Sequence, residues 1–168
     1  MTETLIRTAT DQDREQWLIL RKTLFPDCPD YKHKMEMEQI LSSEGETFVA
    51  ERENIGLIGF AEISIRNDHV EGASISPIPY LEGWYVDKRY RATGVGSNLT
   101  AAAEEWSRER GFTEIASDSR IDNHTSIAIH KAIGFKEVGR NVQFLKSLVK
   151  GGDNTKQITE GEESSPQI

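Results

Sequence analysis

The sequence predicts an α/β (α+β) fold: a mixed, mostly antiparallel central sheet with helices on both of its faces. Three observations lead there. Residues 46–52 and 55–66 are strand-like runs joined by the Glu53-Asn54 turn, which reads as a hairpin. A further strand-like run, 80–86, leads through a glycine-bearing turn into an amphipathic stretch at 98–110. The order along the chain is strand, two helices, three strands, helix, strand, helix, strand. An antiparallel first half followed by strand–helix–strand units makes a mixed sheet with helices on its faces.

Each element has its own signal. Residues 5–9 form the first strand. Thr10 caps a helix that runs to about Leu24, with Asp11 and Asp13 in its first turn and Trp17, Leu20, Arg21 and Leu24 at helical spacing. Pro26 and Pro29 break the chain, and a second helix spans about 31–41. The hairpin follows, then a polar loop at 67–79 containing Gly72, Pro77 and Pro79. After the strand at 80–86 and the helix at 98–110, Gly111 fits the C′ position. Residues 112–117 read as a strand ending at Asp118. Asp122 or Asn123 caps a helix to about Ile133, which Gly134 closes. Residues 135–148 hold the final strand or strands. From Gly151 onward the chain is polar and almost free of apolar residues, a tail expected to be disordered.

The composition narrows the class. With 168 residues, a single domain over 1–149 is expected, long enough to bury a sizeable core. Hydrophobic content of 36% and charged content of 29% fit a soluble globular protein. No apolar run approaches membrane-spanning length, and residues 1–4 carry neither the basic nor the apolar region of an export signal. Cys28 is the single cysteine, so no intrachain disulfide forms, and a cytoplasmic location is expected. A net charge of −8 argues against a nucleic-acid partner and favours cationic ones. His33, His69, His124 and His130 show no metal-ligand spacing with Cys28 or one another, so no metal is expected.

The most informative stretch is Arg91-Ala92-Thr93-Gly94-Val95-Gly96-Ser97. A small-residue turn between strand and helix leaves backbone N–H groups unpaired and pointing one way, and the positive end of the helix dipole adds to them. Such a turn holds a phosphate or pyrophosphate. The glycines admit close backbone approach, and Arg91 places a cation at the mouth. No Gly-Lys-Ser/Thr follows, which excludes a Walker loop, and the third glycine of the dinucleotide fingerprint is missing.

This loop resembles the acyl-CoA pyrophosphate loop of the GCN5-related N-acetyltransferases (the GNAT family), and the element order matches that fold. Asp122-Asn123-His124-Thr125-Ser126 with His130-Lys131-Ala132-Ile133-Gly134-Phe135 is similar to the family's last helix and Gly-Phe turn. Within the family, four further segments resemble the type I aminoglycoside 6′-N-acetyltransferases: residues 20–26, residues 66–72 with Ser76-Pro77, Leu81-Glu82-Gly83, and Ala116-Ser117-Asp118-Ser119. The matches span residues 5–148. Three positions depart from the broader pattern. Phe25 stands where relatives commonly have tryptophan, His69 where tyrosine is frequent, and His130 where many acetyltransferases carry a tyrosine acid. The aminoglycoside enzymes often have histidine at that last position.

The resemblance implies transfer of acetyl from acetyl-CoA directly to the 6′-amine of a cationic aminoglycoside, and hence antibiotic resistance. Transfer to another small amine or a protein amine is the alternative. It implies a pyrophosphate on the amides of Ala92, Thr93, Gly94, Val95, Gly96 and Ser97 beside Arg91. It also implies pantetheine pairing along Trp84, Tyr85 and Val86, with Asn123 and His130 completing the cofactor side. The amine arrives as an ammonium and must lose a proton, a task for a carboxylate acting directly or through water. Glu82 and Asp118 are the candidates. Strand alternation places Glu82 on the face of Trp84 and Val86, and Asp118 ends the next strand, at the sheet edge where ligands gather. The resemblance makes Asp118 the better base, adds Glu137 as a substrate carboxylate, and lines the sugar site with Phe25, Cys28 and His69. An N–H freed by a bulge in the 80–86 strand, most simply that of Val86, would receive the oxyanion. His130 is either a general acid for the leaving thiolate or a packed helix residue. The resemblance further implies a homodimer, to which the apolar alternation of Val142, Phe144, Leu145 and Leu148 is suited.

Overall fold

Five strands form one sheet in sequence order: β1 (Thr4–Thr8), β2 (Glu46–Arg52), β3 (Gly56–Arg66), β4 (Ile78–Val86) and β5 (Ala116–Ser117). The computed structural model describes residues 3–149, so the tail read as disordered lies outside the described residues. The first four strands pair antiparallel, and β5 runs parallel to β4. Among the described residues there are four α-helices: α1 (Arg14–Leu24) and α2 (Asp30–Ser42) between β1 and β2, α3 (Val95–Glu109) between β4 and β5, and α4 (His124–Ala132) after β5.

The helices divide between the two faces as the element order requires. On one face Trp17, Leu20 and Leu24 of α1 and Met37 of α2 pack on Val49, Phe60 and Tyr85. On the other, Val95, Leu99, Ala103 and Trp106 of α3 pack on Ala50, Ile58, Ala61, Leu81, Trp84 and Val86, with Ile129 of α4 and its C-cap Ile133 against the same cluster. Neighbouring strand residues such as Val49 and Ala50 therefore serve different cores, the direct result of strand alternation. Trp17 is fully buried, and truncating a side chain of that size in a packed core costs about 3–5 kcal/mol.

Several boundaries differ from the sequence reading. Thr10 opens a one-turn 3-10 helix, Asp11–Asp13, before α1 begins. The Asp13 carboxylate accepts from the Thr10 N–H at 2.7 Å and from the fork of Arg7 at 2.8 and 2.9 Å, and this pairing holds its carboxyl down at about 2. β4 starts two residues earlier than expected and includes Pro79; its outer edge is unpaired there, since β5 reaches only Tyr80 and Leu81, so the missing N–H breaks no ladder. The strand read over 112–117 contracts to Ala116–Ser117. Among the described residues, 135–149 form neither strand nor helix, which corrects the expectation of final strands. Strand-forming side chains alone do not make a strand; a ladder partner is needed, and no neighbouring strand offers one to this segment. Val142, Phe144, Leu145 and Leu148 are accordingly exposed.

Candidate active site

β4 and β5 share only two register pairs, Tyr80 with Ala116 and Leu81 with Ser117. Beyond Leu81 the outer edge of β4 has no strand beside it among the described residues. The Asp87 N–H donates to the Ile58 carbonyl at 2.8 Å, so by antiparallel alternation Tyr85 and Asp87 aim their backbone at β3. Trp84 and Val86 then aim theirs at the open edge. This leaves a backbone edge on which an extended amide-bearing ligand can pair, with the Val86 N–H directed into the gap. The Val86 carbonyl is taken up by Arg91 Nε at 3.0 Å.

The end of β5 splits its side chains across the sheet. Ser117 faces the α3–α4 side, where its hydroxyl lies 2.9 Å from His130 Nε2. The other ring nitrogen is 2.8 Å from the Ser126 carbonyl, which only an N–H can satisfy. In the neutral ring Nε2 is therefore the acceptor and Ser117 donates. His130 also packs edge-on against Trp84 and Phe135, with ring centroids 5.3 Å apart in each case. Asp118, one residue on, faces the opposite side and accepts from the Tyr80 hydroxyl at 2.8 Å.

On the α3 side the turn between β4 and the helix has the backbone geometry expected of it. Gly94 is the N-cap with φ of 86°, a left-handed conformation that glycine adopts without penalty, and Ala92 holds φ of 59°. The helix begins at Val95 rather than Asn98, so the N–H groups of Val95, Gly96 and Ser97 belong to its unpaired first turn. A Cβ on Gly96 would sit 3.2 Å from the Trp84 ring, so this glycine seats the helix end against β4. Two buried donors, Arg91 Nη2 and Trp84 Nε1, have no protein partner. Unpaired buried donors are costly, and together with the free N–H groups they fit an anionic, amide-bearing ligand such as the CoA end of acetyl-CoA. Thr93 turns its hydroxyl to the Tyr90 carbonyl at 2.6 Å. Asn123 caps α4 by accepting from the Ser126 N–H at 3.0 Å, which leaves its amide NH2 for a ligand.

Across the sheet, Glu82 lies elsewhere than alternation places it. The register passes from Glu62 opposite Gly83 to Ile63 opposite Leu81, so Glu82 is the extra residue of a bulge. The bulge turns Glu82 and Gly83 to the same side, away from Leu81, Trp84 and Val86, and Glu82 therefore does not share the face of Trp84 and Val86. Its carboxylate instead receives Ser64 Oγ at 2.5 Å and a fork from Arg66 at 2.7 and 2.6 Å. The Arg66 guanidinium lies 3.3 Å over the Tyr80 ring. Burial first, then the bond to Asp118, pushes the Tyr80 hydroxyl well above its ordinary range. Glu62 lies beneath the bulge, fully buried, accepting from Trp17 Nε1 at 2.7 Å and lying 3.3 Å from Arg21. Burial pushes its carboxyl up to about 7 against the opposing pull of Arg21.

Glu82 and Asp118 are thus brought together through Arg66 and Tyr80. Phe25 and Cys28 sit on the α1–α2 connection, Phe25 partly buried against the core on the same face as Glu82 and Cys28 half-buried. His69 stands exposed on the loop before β4, 3.7 Å from Glu71. Glu137 is held by Arg140 and by Lys131 at 2.7 Å, and these cations, Arg140 first, keep its carboxyl at about 2. Neither His69 nor Glu137 contacts Glu82 or Asp118. Arg66, Tyr80 and Ser64 carry no site signal in the sequence; their side-chain partners lie across strand pairs and beyond a bulge, which no local pattern records.

The family model for the acetyltransferase (GNAT) family matches residues 7–135. The chain is 40% identical over 143 residues to an aminoglycoside N(6′)-acetyltransferase type 1 of Stenotrophomonas maltophilia, covering 85% of this chain and 93% of that protein. A solved structure of AAC(6′)-Iy in complex with the bisubstrate analogue CoA-S-monomethyl-acetylneamine superposes with a TM-score of 0.80 at 37% identity, covering 87% of this chain and 99% of the other. The aminoglycoside 6′-N-acetyltransferase AAC(6′)-Ih of Acinetobacter baumannii gives 0.79 at 34% identity, over 88% and 100% of the two chains. With a turn of unpaired N–H groups on one side of an opened β4 edge, a paired carboxylate on the other, and these matches over most of its length, the chain belongs to the GNAT acetyltransferase family.

Proposed function

We propose that this protein is an aminoglycoside 6′-N-acetyltransferase, which moves acetyl from acetyl-CoA directly to the 6′-amine of an aminoglycoside and so confers resistance to it. The observation that carries the reading is the split at the end of β5. Ser117 faces the cradle side and Asp118 the face that holds Glu82, with the open edge of β4 between them. The named relatives, matched over most of their length, supply the substrate class.

Asp118 receives the ammonium of the substrate and accepts its proton, directly or through water. The amine nitrogen then attacks the thioester carbonyl carbon, and the N–H of Val86 donates to the developing oxyanion. Collapse of the tetrahedral intermediate breaks the C–S bond, the second proton of the attacking nitrogen passes through water to the departing sulfur, and CoA leaves as its thiol. Acetyl-CoA lies with its pantetheine along Trp84 to Val86 and its pyrophosphate on residues 92–97, beside Arg91 and Asn123. The Cys28 thiol is directed at the Pro29 carbonyl and takes no part in the bond-making steps. His130 holds the Ser117 hydroxyl and buttresses Trp84. Phe25, Cys28, His69 and Glu137 form the outer wall of the sugar site, Glu137 after release from Arg140 and Lys131. Residues 1–149 form the catalytic domain, which acts in the cytoplasm as a homodimer joined through the exposed apolar segment after residue 141.

Release of CoA thiol from acetyl-CoA tests the reaction, comparing neamine, which has a 6′-amine, with its 6′-hydroxyl analogue. Turnover with neamine alone is expected. Turnover with neither, despite acetyl-CoA binding, moves the assignment to another amine.

A further inference from the structure

Arg66 enters the cleft from β3 and has no role in the transfer chemistry above. Its Nε lies 2.7 Å from one oxygen of Glu82 and its Nη2 2.6 Å from the other, while its plane stacks on Tyr80 at 3.3 Å. Ser64 fills a further lone pair of the same carboxylate at 2.5 Å. Glu82 therefore already carries a cation in the strong bidentate geometry that arginine alone provides. Asp118 holds only a neutral hydroxyl, that of Tyr80. The two carboxylates, alike in sequence terms, differ in what a new cation would find at each.

We propose that Arg66 is the resident counter-cation of the substrate cleft and a specificity-determining residue. It occupies Glu82 in the free protein, so the amine to be acetylated meets Asp118, and a second ammonium of the substrate gains Glu82 only by displacing the guanidinium. The identity of the substrate rests on the reading under Proposed function; the charge arrangement does not. Glu82, Asp118 and Arg66 together leave one net negative charge, matched to one incoming ammonium. The Arg66 side chain is 38% exposed and that of Glu82 28%, so the guanidinium can turn to water without stranding a buried charge. Polycations spaced to reach both carboxylates exploit that exchange, and monoamines do not.

A charge-suppression cycle tests this. The dissociation constants of neamine and of acetyl-CoA are measured by calorimetry for the wild type, Glu82→Gln, Arg66→Gln and the double variant. Glu82→Gln leaves the guanidinium as an uncompensated positive charge and is expected to weaken neamine binding about fivefold. Adding Arg66→Gln removes that charge and should restore binding to near the wild-type value. Arg66→Gln alone should tighten it, and acetyl-CoA affinity should stay constant throughout. A double variant no better than Glu82→Gln overturns the proposal, because Glu82 then holds substrate directly with Arg66 only as scaffold. Should Arg66→Gln fail to fold, Arg66→Lys keeps the charge without the fork and should tighten neamine binding by a smaller factor; weaker binding overturns the proposal equally. Neamine bound without acetyl transfer by the wild type refutes the assigned reaction, while the binding cycle still decides the role of Arg66.

Discussion

Asp118 and Glu82 are both carboxylates at the ends of hydrogen-bond chains, and their neighbours separate their roles. Glu82 is committed to Ser64 and Arg66, whereas Asp118 accepts one bond from Tyr80. An oxygen that keeps free lone pairs can take a proton from an arriving ammonium; one already forked by a guanidinium is poorly placed to do so. Asp118→Asn preserves the shape and the acceptor for Tyr80 but removes the basic oxygen. It is expected to lower kcat for acetyl transfer at least about 100-fold, the scale of a lost general base. Acetyl-CoA affinity should change less than about twofold, because Asp118 lies on the other side of the sheet from the cradle. Steady-state kinetics with calorimetry checks both halves, and a kcat near wild type would move the proton transfer to water alone.

At the scale of elements, the strand–turn–helix unit from β4 to α3 is the proposed cofactor end of the site. Gly94 holds φ of 86°, and a Cβ added there would meet nothing within 4 Å, so the objection to a side chain is conformational rather than steric. Gly94→Ala should therefore cost about 1 kcal/mol of stability. Because it re-aims the first-turn N–H groups, it should also weaken acetyl-CoA binding about tenfold. Neamine binding, on the opposite face, should be unaffected. Thermal unfolding and calorimetry read these out, and unchanged acetyl-CoA affinity would remove the turn from the cofactor site. This unit was legible in the sequence because its signals are local: a strand, two glycines and an amphipathic helix in succession. The place of the bulge, at Glu82, was not, since a single inserted residue moves a side chain to the other face of a sheet. Its structural correlate is Gly83, where a Cβ would approach Glu62 Oε2 to 3.0 Å. That glycine requirement comes from a residue on the neighbouring strand, far away in sequence. The pairing of Arg66 with Glu82 was hidden for the same reason. Apolar alternation at 142–148 gave a strand signal with no ladder to join, and so misled.

For the molecule as a whole, the residues after Gly134 pose the open physical problem. Phe144 is 93% exposed and Leu148 86%, with Val142 and Leu145 also in solvent. Several large apolar side chains facing water along one short segment are unfavourable, and cover by another chain would relieve that cost. The outer edge of the sheet offers only the two residues of β5, so unpaired backbone is available to a partner copy. Pairing of this segment with its twin would satisfy both needs, burying the apolar residues and supplying the missing ladder. Such a contact is isologous, and it closes at two copies. Sedimentation equilibrium should accordingly give twice the mass of one chain at micromolar concentration. Phe144→Asp with Leu148→Asp should give a single-chain mass while acetyl-CoA binding persists, because neither residue touches the cradle. A wild-type protein that sediments as one chain, or a double variant that stays paired, would place the covering surface elsewhere.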